Sequence, residues 1–495
     1  MKRFLAAALA VLAIGAAGAS TPPPDDRAIT HVLNRTAFGP RPGDVERVRA
    51  IGIDRYIDEQ LHPDRIRDDA VSGRLAGLQT PRMSRREIVD AIELPQIEAR
   101  RERKQQTDGG DTSGPKPPDP LQLRANAIVI ELAEQKIVRA VHSERQLQEV
   151  LADFWFNHFN VDSRKGRDRF LLTEFERDAI RPHVLGTFRD LLGATAKSPA
   201  MLFYLDNWMN ADPNGPHVPV RVGRPFQGRL GRFGEPERLA LQNKNRAKKG
   251  LNENYARELM ELHTLGVDGG YTQKDVTEVA RAFTGWTLEN PRQGGGFTFD
   301  ARLHDPGQKV VLGHVIKAGG GQSDGEAVLD ILAKHASTAR VIATKLVRRF
   351  VSDVPPPALV DRAAARFRET SGDLREVTRT ILAAPEFRSP DVYAAKVKSP
   401  FEFVVSALRA AGIDVVAGDR TASAPPAFDA KLLVQRIRDM GMPLYQCQPP
   451  TGYGDTAEAW MNSGALVNRI NFALELARGD RPLAETLGAP DFQKR

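Results

Sequence analysis

The chain has 495 residues, of which 41% are hydrophobic and 27% charged, with a formal net charge of +7. That balance is ordinary for a globular protein. A lone cysteine, Cys447, excludes any internal disulfide. The length exceeds the size at which one hydrophobic core stops growing, so packed subdomains are expected.

Lys2 and Arg3, the apolar run Phe4 to Ile14 and the small residues Ala17-Gly18-Ala19 form a secretory signal peptide over residues 1–19. Its apolar part is too short for a stable membrane span. The expected location is periplasmic or extracellular after cleavage. Residues 20–27, rich in Pro and Asp, read as a disordered mature N-terminus. Residues 28–495 form the remaining helical domain, with flexible segments expected at about 105–119 and 209–249.

The spacing of apolar residues predicts short helices at 28–34, 42–50 and 53–60, and a longer one from Ser84 into the charged stretch ending at Lys104. Leu121 to Val141 is a long amphipathic helix. Ser143 is a candidate cap for the next, with Gln146 at the third position of a capping box. Helices follow at 169–180, 184–196 and 199–205. A helix pair is predicted at 254–265 and 273–284, the second capped by Thr272 and leading to Trp286. Phe297–Asp300 and Val310–Ile316 read as the strands of one small hairpin. Helical patterns resume at 325–333, 337–350, 357–369, 374–383, 401–411, 430–440 and 456–478. The fold class is therefore mainly α, a multi-helix array of packed helical subdomains with one small β-hairpin element.

Residues 221–249 hold nine Lys and Arg against two acids. A solvated loop explains such a run without a ligand, and export argues against nucleic acid as a partner.

The richest stretch is 250–286. Asn252, Asn254, Arg257, Glu258, Glu261 and His263 crowd little more than two helical turns. Amides, carboxylates, Arg and His fix ligands and move protons. On a helical wheel Asn254, Glu258 and Glu261 share one polar stripe, while His263 falls about 140° from Glu258. One metal held by Glu258, Glu261 and His263 therefore requires the helix to unwind before Gly266. Two carboxylates three residues apart share a proton, bind a hard cation or pair with Arg. Arg257 is a candidate partner. His158 lies on an apolar face after Trp155, where a packed histidine is the ordinary outcome. The adjacent His304 and Asp305 diverge and cannot form a dyad, although either can line a cleft.

The zincin HExxH, the GxSxG elbow, the P-loop, the dinucleotide GxGxxG and the CxxCH haem motif are all absent. The segments Asn34-Arg-Thr-Ala-Phe-Gly-Pro-Arg-Pro, Phe154-Trp-Phe-Asn-His-Phe-Asn-Val and Pro199-Ala-Met-Leu-Phe-Tyr-Leu-Asp-Asn carry a resemblance. So do Asn252 through Gly266, Gly270-Tyr-Thr-Gln, Phe283-Thr-Gly-Trp and His304-Asp-Pro-Gly. Together they resemble the bacterial domain-of-unknown-function 1800 family, whose members look like uncharacterised exported proteins. The resemblance covers nearly the whole mature chain and implies a neighbouring-gene partner with a sulfatase-like fold. It implies no activity.

Two functions fit these residues. In the first, an acid–base or metal-assisted hydrolase-type enzyme uses His158, Asn254, Glu258, Glu261 and His263 as catalytic groups in an inter-helix cleft. Asp206, Arg257, Trp286 and His304 would then bind at its rim, and a divalent metal is the candidate cofactor. In the second, the chain is a non-catalytic binding or assembly protein that works with a partner at the cell envelope.

Overall fold

Helix starts are written locally into this sequence. Asp25 caps Asp26–Thr36 by accepting the Ala28 amide, and Asp119 caps Pro120–His142 by accepting the Leu121 amide. Thr272 and Asp275 close a reciprocal capping box at the start of Gln273–Ala282. A computed structural model describes residues 25–106, 119–215, 250–418, 428–478 and 480–495. The expected signal peptide, most of the predicted 105–119 linker and the basic run at 221–249 lie outside the described residues.

Helices dominate, as the periodicity predicts. Pro120–His142 turns Ile128, Leu132, Ile137 and Val138 inward along one stripe. It packs against Asp168–Glu174, Pro400–Ala410 and Ala430–Asp439. Ala336–Phe350, Pro357–Glu369 and Leu374–Leu382 pack as a consecutive group. One continuous core runs from Ile29 to Leu487, with a small satellite around Ile88, Ile128 and Phe170.

The motif around Asn34–Pro42 is part of this packing. Arg409, buried on Pro400–Ala410, donates to the Gly39 and Val141 carbonyls and pairs with Asp44 at 3.0 Å. Gly39 sits at φ +87° with Ser406 pressed against it, so a side chain there would meet both strain and crowding.

Several local expectations are corrected. Ser143 and Gln146 form no capping box. The Ser143 hydroxyl donates to Asp68, and Gln146 reaches the Ala140 and Ser143 carbonyls and accepts the Phe38 amide. Among the described residues there are two hairpins, not one. Strand β1 (Trp286–Leu288) pairs antiparallel with β2 (Phe297–Phe299), and β3 (Lys309–Val311) pairs with β4 (His314–Ile316). The two runs expected to pair thus belong to separate hairpins. Leu312 and Gly313, both at positive φ, make the tight β3–β4 turn. A third, parallel pair joins β5 (Val415–Val416) to β6 (Phe428–Asp429). The predicted helix 456–478 is split, because Asn462 caps a new start at Ser463.

Trp286 opens β1 and does not end a helix. It is fully buried against Phe283 and Phe297. Gly325, inside the helix Ser323–Lys334, makes room for it. A Cβ there would fall 2.6 Å from the indole. Helix propensity alone would make Gly325→Ala stabilising by about 1 kcal/mol. We predict instead a loss of about 1–3 kcal/mol from overpacking. Chemical denaturation reads the sign directly, and a stabilised variant would show that the indole has slack.

Candidate functional site

A cleft of about 320 Å³ opens where the end of helix Gln146–His158 meets helix Ala336–Phe350 and the chain from Met442 to Trp460. Two asparagines build its wall. Asn157 donates to the Tyr453 carbonyl at 2.8 Å and accepts the Tyr453 amide at 2.7 Å. Asn160 donates to the carbonyls of Cys447 and Pro449. Gly452 sits at φ +72° with its Cα over the Asn157 backbone, where a Cβ would come within 2.2 Å of a carbonyl oxygen. Only glycine fits. Cys447 is buried in this segment, and burial pushes its thiol up to about 11, the behaviour of a packed residue and not a reactive one.

Inside the cleft, Lys345 points its amine at His158. The Nζ lies 2.9 Å from His158 Nδ1 and 3.2 Å from the Leu262 carbonyl. His158 Nε2 lies 3.2 Å from the His263 carbonyl. This arrangement assigns the proton of His158 to Nε2, leaving Nδ1 to accept from lysine. Burial, with Arg348 nearby, lowers the Lys345 ammonium to about 8. Burial and then Lys345 hold His158 well below its ordinary value, and the same causes take His263 to about 3. Both imidazoles are therefore neutral at physiological pH. His263 packs on Phe159, its Nε2 without a partner among the described residues.

The cleft floor is ionic. Arg349, one turn after Lys345, pairs with Glu402 at 2.7 Å. Arg495 approaches the same carboxylate at 3.2 Å. Burial alone would raise the Glu402 carboxyl, but the two guanidiniums bring it down to about 2.

The 250–266 stretch divides between two jobs. Helix Asn254–Glu261 ends four residues earlier than predicted, and the chain unwinds through His263, whose amide bonds to the Glu258 carbonyl. That turn buries His263 beside His158. The amides serve the backbone. Asn252 donates to the Asp206 carbonyl, Asn254 to the Leu205 carbonyl, and the Asn252 amide reaches Asn210, itself bonded to Asn207. Glu258 is half-buried, and burial together with Glu261 raises its pKa. Glu261 accepts from Tyr271 at 3.3 Å, and Arg257 bonds Gln273 and Glu253.

Among the described residues no side-chain hydrogen bond joins Glu258 or Glu261 to His158 or His263. No group of three or more His, Cys, Asp or Glu there is placed to hold a metal ion. The unwinding that a Glu258–Glu261–His263 metal site needs does occur, but the three side chains do not gather. Asp206, in the left-handed region, pairs with Lys165 at 2.8 Å. His304 is buried against Thr284 and Asp324, so neither it nor Trp286 lies at a rim.

The sequence matches a family model described as "Protein of unknown function (DUF1800)" over residues 31–494. The protein belongs to the DUF1800 family. No curated protein and no solved structure matches it. Two motifs through which the resemblance was legible in this DUF1800 chain, 154–161 and 252–266, supply the cleft's asparagine clamp and its histidine pair. Lys345, Arg349 and Glu402 were not legible as site residues, since each sits in a helix of ordinary composition.

Four histidines held neutral, three of them buried, make this chain acid-sensitive. His31 and His142 are lowered to about 4 by burial and a nearby arginine and His263 to about 3, and burial and then Lys345 hold His158 well below its ordinary value. Each takes up a proton near pH 6.5 when unfolded but not when folded. Stability is therefore full above pH 6.5 and falls as pH drops toward 4, by up to about 1.4 kcal/mol per pH unit for each histidine. Urea midpoints at pH 7.5 and 5.0 should differ clearly, and equal midpoints would contradict neutral burial.

Proposed function

We propose that this chain is an exported enzyme of the acid–base type, acting on a substrate bound in the cleft beside Lys345. The supporting observation is a largely buried amine, lowered to about 8 and held 2.9 Å from His158 Nδ1. As an ammonium, Lys345 gives two of its N–H groups to His158 and to the Leu262 carbonyl, leaving the third for the cleft. Losing one proton near pH 8 leaves a lone pair able to take a proton from substrate or add to an electrophilic carbon. His158 is too hard to protonate to keep the charge, so it orients the amine. Arg348 lines the same wall and suits a substrate bearing an anionic group, whereas Arg349 is held by Glu402.

On this reading His158 positions the amine and the His263 carbonyl holds His158, whereas Glu258, Glu261 and Asn254 support the fold beside them. No step is assigned to a divalent metal. A second reading, binding or assembly with an envelope partner such as the sulfatase-like protein the resemblance implies, draws support from one surface. Leu466, Val467, Ile470 and Leu474 stand exposed along helix Ser463–Ala477.

Pyridoxal 5′-phosphate, an anionic aldehyde, tests the first reading. Its imine with a neutral amine is trapped by borohydride and located by mass spectrometry. Labelling should concentrate on Lys345, rise with a midpoint near pH 8, and vanish from that peptide in Lys345→Met. Labelling spread over surface lysines, with Lys345 unmodified at pH 9, would reject a reactive amine.

A further inference from the structure

A second cavity, of about 710 Å³, opens beside helix Pro120–His142 and shares no lining residue with the cleft. Four arginines line it, Arg82, Arg139, Arg177 and Arg181, against the single carboxylate of Glu87. Three of the four have partners. Arg181 is paired with Glu149 and lies 3.6 Å from Glu176. Arg177 is bidentate on Asp178 and donates to the Met83 carbonyl. Arg82, exposed at the mouth, gives one N–H to the Leu75 carbonyl at 2.8 Å. Glu87 turns away, accepting the Ser84 amide and hydroxyl at its own helix start.

Arg139 has no partner among the described residues. It projects from the last turn of the long helix, largely enclosed, and makes no side-chain hydrogen bond or ion pair among the described residues. Its Nε meets neither solvent nor an acceptor. The surrounding acids are engaged elsewhere. Glu149 is on Arg181, Glu176 is bonded by the Tyr445 hydroxyl, and Asp68 accepts from the Ser143 hydroxyl and the Glu144 amide. Burial and then the neighbouring Arg181 disfavour the charge on Arg139. A guanidinium does not shed its proton in a protein, so the charge stays. A partly enclosed permanent cation with no close counter-ion is under-compensated. An anion entering the cavity removes that cost.

We propose that this cavity binds an organic oxyanion, a phosphate, sulfate or carboxylate group carried on an apolar body. Arg139 and Arg82 take the charged head through their unused N–H groups. Leu75 and Leu78, which also line the cavity, take the body.

Calorimetric titration of the full chain at low salt tests this with phenyl phosphate, phenyl sulfate and benzoate, and phenol as the uncharged control. At least one anion should bind with a strong dependence on salt, and phenol should not. Which anion binds tightest identifies the head group. Arg139→Met should weaken that binding at least tenfold. Arg82→Gln, at an exposed position, should weaken it severalfold even if Arg139→Met does not fold. Arg340→Gln, a surface arginine elsewhere, should leave it unchanged. Failure of all three anions to bind, or equal affinity in the Arg139 and Arg82 variants, would overturn the site.

Discussion

Glu402 is buried, ionised and shared by three parts of the chain. One carboxylate oxygen accepts the Ser399 amide at the start of its own helix at 2.8 Å. The other meets Arg349 from Ala336–Phe350 and Arg495 at the far end of the sequence. Removing the carboxylate would leave two enclosed guanidiniums facing each other, a loss of about 3–5 kcal/mol by analogy with other broken buried pairs. The position of Lys345 depends on the same contact. Lys345 precedes Arg349 by one turn, so fixing Arg349 fixes the helix face that carries the amine into the cleft.

The asparagines solve a related problem. Irregular backbone cannot be buried unless its N–H and C=O groups find partners. Asn157 and Asn160 supply them to the segment 447–453, and Asn207, Asn210 and Asn252 supply them to the chain around 205–286. Each amide both donates and accepts, so it can replace a missing strand neighbour. The density of amides in 250–266 is thus mainly structural. Lys345 and Arg139 share one physical theme, a cation taken out of water. In the first, neighbours allow the proton to leave. In the second the proton cannot leave, and a counter-ion is wanted.

The helical class was legible because it is written in local terms. Ile53–Gln60 and Pro357–Glu369 match their predicted limits, since apolar spacing and a Gly or Pro boundary fix them within one turn or two. Errors came where distant contacts decide. The helix after Asn254 stops at Glu261 because His263 must turn under Phe159, and Trp286 leaves its helix to start β1. Half of the site was legible: His158 and His263 stood out by residue type. The rest was not, because Lys345 and His158 lie 187 positions apart, and nothing near Lys345 distinguishes it from a surface lysine. A helical wheel orders residues on one helix and cannot say which helix comes to face it.

Lys345 is a largely enclosed amine held by His158 at the cleft. Carbon-13 labelled lysine, with the Lys345 signal assigned by its loss in Lys345→Met, allows its titration to be followed by NMR. A midpoint near 8 is expected for this resonance, below that of the surface lysines. A midpoint near the ordinary 10.5 would mean that the amine is fully hydrated, and would contradict the cleft as a site of acid–base chemistry.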